Sequence, residues 1–222
     1  MKNIKTLIEN FIEKIKGIWQ EDLVSVILYG SFLEDTFDRK TSDVNLVVLV
    51  KNVEPDKMLR SRKIVRAFHR RIRLMPLFLS ADFFHSSLDS FAIEWKEIKN
   101  NYRILYGPDP VKETEIKNKD MRLQLEREIK QNIIQFQQGL LFGWQLPALV
   151  SRSAKSFRVL YRSAQALLEG DKLSPLEAGH LKKIENLQKK RFGFNRKEWE
   201  LLAREHLGIL NAFAQTLNRG ER

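Results

Sequence analysis

The sequence predicts two parts of different class. Residues 1–115 read as a mixed domain, a mixed sheet flanked by helices (of α+β or α/β type), and residues 116–222 as an all-α helical bundle. Two observations carry this. Short runs of Val, Ile and Leu bounded by turn residues recur in the first half, and strand signals disappear after Gly107-Pro108-Asp109-Pro110, which punctuates the chain. In addition, 222 residues with 43% apolar content are enough for one large core or two modest ones.

The elements follow in order. Leu7, Ile8, Phe11, Ile12 and Ile15 recur at helical spacing and predict a helix from Ile4 to Trp19. Leu23 to Tyr29 reads as a buried strand stopped by Gly30, and Asp43 opens a second strand through Leu46 to Val50. Pro55, a preferred first helical residue, starts a helix to about Arg71, and Leu74 to Leu79 is a third strand. Asn100-Asn101 predicts a turn between two further short strands within 92–106. Beyond the boundary, residues 119–142, 149–169, 175–190 and 196–218 carry helical periodicity, divided by Pro147, Gly170 and Gly193. Four helices with short links predict an antiparallel bundle.

Composition narrows the function classes. There is no cysteine, hence no disulfide framework, thiolate metal site or cysteine nucleophile. The start, Met1-Lys2-Asn3, has no apolar signal core, and the longest apolar stretch, Gly139 to Val150, is too short to span a bilayer. A cytoplasmic protein with no membrane partner is expected. The net charge of +11 is uneven: residues 1–115 carry 19 Lys and Arg against 17 Asp and Glu, residues 116–222 carry 20 against 11. A surplus confined to one half suits an anionic partner such as a nucleotide, a nucleic acid or an acidic protein, or is simply a soluble basic surface.

The chemistry-bearing unit is Leu28-Tyr29-Gly30-Ser31 followed by Ser42-Asp43-Val44-Asn45. Glycine at a strand end lets backbone approach a phosphate, and the next hydroxyl can donate to it; the same pair is also a common turn. Asp43 sits at the threshold of a rigid apolar strand, a position that serves as a cap or presents a carboxylate at the sheet's edge. These two motifs lie on adjacent predicted strands joined by a polar loop.

This segment resembles the nucleotidyltransferase superfamily that includes DNA polymerase β, the minimal nucleotidyltransferases and the aminoglycoside nucleotidyltransferases. The likeness extends through Pro76-Leu77-Phe78-Leu79-Ser80, Ser87 to Glu94 and Ile104 to Asp109. It implies a nucleoside triphosphate as substrate, Mg²⁺ as cofactor, and attack of an acceptor hydroxyl on the α-phosphorus. Gly30, Ser31 and Ser42 would bind the nucleotide, and Asp43 with the residue two later, Asn45, would hold the metal, since alternate strand residues share a face. Asn45 replaces the family's second carboxylate, and the third strand, Leu74 to Leu79, supplies no third one. Among Glu94, Glu97, Asp89 and Asp82, Glu94 is the preferred substitute, set in an apolar neighbourhood of Phe91, Ala92, Ile93 and Trp95.

Outside the motif, Arg152, Lys155, Arg158 and Arg162 recur along one helix face and could bind triphosphate or a polyanionic acceptor if the two parts fold together. Arg60, Arg62, Lys63, Arg66, Arg70, Arg71 and Arg73 form a basic helix face, solvated or phosphate-binding. Lys182, Lys183, Lys189, Lys190 and Arg191 with Phe192 and Phe194 could grip a nucleic-acid backbone, or end a helix. His69, His85, His180 and His206 have no metal-ligand spacing, and neither His180 nor His206 fits the Arg-x4–6-His ribonuclease motif of helical partners of minimal nucleotidyltransferases. Three functions stand: a Mg²⁺-dependent nucleotidyltransferase, a catalytically degenerate nucleotide-binding module, and a nucleic-acid-binding accessory protein.

Overall fold

A computed structural model describes residues 2–34, 37–39, 42–167, 179, 182 and 195–219. The chain forms two compact units, Met1–Ile116 and Lys117–Arg222. In the first, the elements run α1 (Lys2–Trp19), β1 (Leu23–Tyr29), β2 (Val44–Val50), α2 (Pro55–Ile72), β3 (Leu74–Ser80), α3 (Ala81–Ser86), α4 (Ala92–Asn100) and β4 (Tyr102–Tyr106). The sheet order is β3-β2-β1-β4, with β1 antiparallel to β2 and β4, and β2 parallel to β3. A parallel pair needs a crossover, which α2 supplies. The sheet is mixed, as the sequence predicts.

Alternation along the strands divides two cores. Leu28, Leu46, Val48, Val50 and Leu74 meet Phe11, Ile15 and Trp19 of α1 and Phe68 and Ile72 of α2. Trp19 is fully buried, stacks on Phe78 at 5.5 Å, and donates its indole N–H to Ser61 Oγ at 3.0 Å, so its one polar atom is satisfied. The opposite face sets Ile27, Val47, Leu49 and Leu79 against Phe84, Trp95, Ile98 and Val111. Gly107, at φ +76°, passes so close to β1 that a Cβ there would lie 2.0 Å from the Val24 carbonyl oxygen. At the edge, β3 carries Pro76 opposite Leu46.

One expected element is wrong. Residues 92–100 are a helix, not a strand. Ile93 and Trp95 flanking Glu94 mimic a period of two, yet Ala92, Trp95 and Ile98 are the three-residue spacing that the core selects. Trp95 packs edge-on to Phe84 at 4.7 Å and donates to Ser87 Oγ at 3.0 Å. Asn101 then ends the helix and β4 follows.

In the second unit, α5 (Asn118–Leu141), α6 (Leu146–Leu167) and α7 (Arg196–Arg219) pack on one another through Leu125, Ile129, Phe136, Phe157, Leu210 and Phe213. The expected helix at 175–190 lies outside the described residues, as do Gly170 and Gly193. Pro147 sits inside the first turn of α6, where its missing N–H costs nothing. Among the described residues no helix is long and apolar enough to cross a membrane.

Candidate functional site at the mouth of the first two strands

Gly30 leaves β1 with φ +80° and ψ −159°, a backbone region open in practice to glycine alone. Its Cα faces Asn45: a Cβ on Gly30 would lie 3.2 Å from Asn45 Nδ2. The strand register explains the meeting, since Tyr29 pairs with Asn45 across β1 and β2. Ser31 opens a short 3-10 turn, with Leu33 N–H donating to Gly30 O and Glu34 N–H to Ser31 O, both at 3.0 Å. Phe32 anchors the turn by burying its ring edge-on to Phe37 at 4.8 Å. A rigid glycine turn therefore lies against the amide of β2.

Ser42 closes the intervening loop rather than facing outward alone. Its N–H donates to Asp38 O at 2.7 Å, and its Oγ accepts from Asp38 N–H at 3.1 Å. Next to it, Asp43 Oδ1 accepts from Arg73 Nε at 2.9 Å. Arg73 is the C-terminal cap of α2 in the left-handed region, φ 53° and ψ 38°. Its N–H donates to His69 O at 2.8 Å, and its carbonyl accepts from Val44 N–H at 3.1 Å. The parallel register that pairs Val44 with Leu74 sets Asp43 and Arg73 side by side at the strand starts.

The same register decides what stands where a further carboxylate is expected. Asn45 pairs with Met75, and Val47 with Leu77. In step with Leu79, both belong to the Asn45 face, and they are 47% and 46% exposed. Apolar side chains thus occupy the β3 positions beside Asn45. Among the described residues no group of three or more His, Cys, Asp or Glu is placed to hold a metal ion. A two-ion clamp asks for several carboxylates converging on ions about 3.5–4 Å apart. One aspartate already bonded to a guanidinium, one neutral amide and two apolar neighbours do not fit that group.

Glu94 lies in the first turn of α4 and is exposed, while Ala92, Ile93 and Trp95 turn inward. The apolar setting expected for its carboxylate belongs to its neighbours instead. Glu97, one turn later, is the acid that couples to the motif: burial raises the Tyr29 hydroxyl pKa, and the Glu97 charge raises it further. Tyr29 immediately precedes Gly30. Neither Tyr29 nor the Asp43–Arg73 pair stands out in the linear sequence. Each of Asp43 and Arg73 directly precedes a strand, but only the register between β2 and β3 shows that the two meet.

The basic positions of α6 belong to the helical unit. Arg152, Lys155 and Arg162 are exposed and Arg158 is half-buried. Arg152 reaches over the Trp144 ring at 5.9 Å and, with Arg127, Gln131 and Asn132, lines a cleft of about 550 Å³. Beneath it, Ser153 Oγ donates to Asn132 Oδ1 at 2.6 Å, and fully buried His206 sets Nε2 2.8 Å from the same hydroxyl. His206 is therefore a core residue. The cations of α2 named above are exposed. Of the basic run at 182–194, Lys182 is exposed; Lys183, Lys189, Lys190, Arg191, Phe192 and Phe194, like His180, lie outside the described residues.

Comparison with known proteins adds to this geometry. No protein-family model matches the chain. A candidate protein adenylyltransferase of Methanocaldococcus jannaschii is 34% identical over 113 residues, which cover 49% of this chain and 75% of that relative. Spectinomycin adenyltransferase AAD(9) from Enterococcus faecialis, solved with ATP and spectinomycin, superposes with a TM-score of 0.53 over 93% of this chain and 99% of that one, at 14% identity, a likeness of fold. With a mixed four-stranded sheet, a glycine turn and a strand-edge aspartate in the expected order, and a relative matched over most of its length, this chain belongs to the nucleotidyltransferase superfamily.

Proposed function

We propose that this protein transfers a nucleotidyl group from a nucleoside triphosphate, ATP first, to a hydroxyl-bearing acceptor. The observation that carries the reading is the Gly30 turn, locked in a glycine-only conformation against Asn45 and next to Asp43. ATP is preferred because the M. jannaschii relative and the E. faecialis enzyme are both named for adenylyl transfer. Gly30 and Ser31 hold the outer phosphates, and Ser42 keeps the loop closed beside them. The acceptor oxygen bonds to the α-phosphorus while the α–β bridging P–O bond breaks; pyrophosphate leaves with the electron pair, and the hydroxyl proton passes to Asp43. Magnesium, expected from the family, would supply charge neutralisation as the counter-ion of the triphosphate. Exposed cations on α2 and, within the helical unit, on α6 favour an anionic acceptor, and a triphosphate donor fits a cytoplasmic setting.

Transfer of label from α-labelled ATP to a panel of small-molecule, protein and RNA acceptors tests this. Asp43→Ala should abolish transfer while leaving the thermal midpoint nearly unchanged, because an exposed ion pair contributes only about 0–1 kcal/mol. Transfer that survives the substitution would refute the role. A second reading, binding without turnover, is favoured by Asn45, Met75 and Leu77 at the positions where carboxylates are expected. It predicts saturable ATP binding in calorimetry with no labelled product on any acceptor.

A further inference from the structure

The donor set beside Gly30 disagrees with a carboxylate-held metal, and the disagreement has a definite content: a cation is already built into the site. We propose that Arg73 stands in for the divalent ion beside Asp43, so that the triphosphate is recognised by a guanidinium and its binding does not depend on Mg²⁺. The inference rests on the reading that the Gly30–Asp43 mouth binds a nucleotide.

Four features support it. Backbone bonds fix Arg73 on both sides, its N–H to His69 O at 2.8 Å and its carbonyl to Val44 N–H at 3.1 Å, so the side chain starts from a defined point at the strand mouth. That position takes the left-handed conformation at a helix end, where glycine is the usual choice, yet this chain has an arginine there. The guanidinium approaches Asp43 through Nε, and among the described residues Asp43 is its polar partner. The Nη edge of the fork is thereby left for a second anion, and a planar fork matches two phosphate oxygens at once. Finally, Arg73 is 48% exposed and Asp43 39%, so the pair holds the fork in place weakly enough to let it turn toward an incoming phosphate.

Electrostatics favours the same exchange. A divalent ion entering between Asp43 and Asn45 would meet one negative charge, a neutral amide and a fixed positive charge at hydrogen-bond distance from the aspartate. A triphosphate meets that positive charge favourably, with Arg70 and Arg71 exposed in the last turn of the same helix.

Titration of the full chain with ATP, once in excess Mg²⁺ and once in EDTA, tests this. The expected dissociation constants agree within about threefold, a difference under 1 kcal/mol. Arg73→Gly removes the guanidinium while suiting the left-handed backbone, so it should fold as well as the parent and still bind ATP at least about tenfold more weakly in both buffers, the scale of a lost charge-assisted hydrogen bond. Arg73→Lys should recover only part of that loss, since an ammonium cannot form the fork. ATP binding that needs Mg²⁺ and is indifferent to Arg73→Gly would overturn the inference and leave the nucleotide reading intact. No ATP binding in either buffer would overturn both.

Discussion

Gly30→Ala separates a phosphate-binding turn from an ordinary one. At φ +80° and ψ −159° an alanine is outside the regions L-residues adopt, at a cost of about 1–3 kcal/mol. The new Cβ would also lie 3.2 Å from Asn45 Nδ2, so the amide must shift by a few tenths of an ångström. A penalty near 2 kcal/mol is a fraction of the roughly 5–15 kcal/mol of a typical domain, so the variant should fold, with a thermal midpoint lower by about 4–8 °C. Binding should suffer more, because the displaced turn and amide are the surfaces proposed to meet the phosphates. The assay is ATP calorimetry on the folded variant beside Gly107→Ala. That control is a second positive-φ glycine whose Cβ would strike the Val24 carbonyl at 2.0 Å, and Gly107 has no assigned contact with nucleotide. It should lose more stability and keep the parent affinity. If Gly30→Ala binds ATP as the parent does while its midpoint falls, Gly30 is only a turn residue and the phosphate assignment is wrong.

Two further outcomes concern groups around the site and in the helical core. The Tyr29 hydroxyl has a pKa above the ordinary 10.0, first through burial and then through Glu97. A raised folded-state value means its contribution to stability is complete below the unfolded pKa and is lost as pH rises through the folded one. Near-ultraviolet titration should show one phenol ionising late, and Glu97→Gln should bring it part of the way back without restoring the ordinary value; an unchanged titration would place Glu97 away from Tyr29. In the helical unit, Phe157 is fully buried and meets the Phe213 ring edge-on at 5.0 Å. Phe157→Ala should cost about 3–5 kcal/mol in denaturant unfolding, and a loss below about 1 kcal/mol would deny it a central place in that core.

Much of the first unit was legible because its strands are short apolar runs with glycine or aspartate at their ends, and its long helices show their apolar spacing plainly. Residues 92–100 were misread for a physical reason: a nine-residue helix offers few turns, and Ile93-Glu94-Trp95 satisfies both periods until the core chooses one. Gly30 and Asp43 could be picked out because their chemistry is local. Arg73 could not, although it was visible as one of many cations, since its meaning depends on the register between β2 and β3. Met75 and Leu77 are similar: an apolar strand reads as core, and only the pairing shows that its outer positions stand open beside Asn45.

Pro76 has a consequence for how the molecule behaves in company. Edge strands invite pairing with strands of other chains, and β3 is an edge next to the Asp43–Arg73 mouth. A proline there removes one of the donors that an incoming strand would need, a device found on edge strands for this reason. The exposed apolar pair Met75 and Leu77 flanks it and would otherwise make this rim a ready seam for aggregation. The proline thus works against another chain zipping onto this rim.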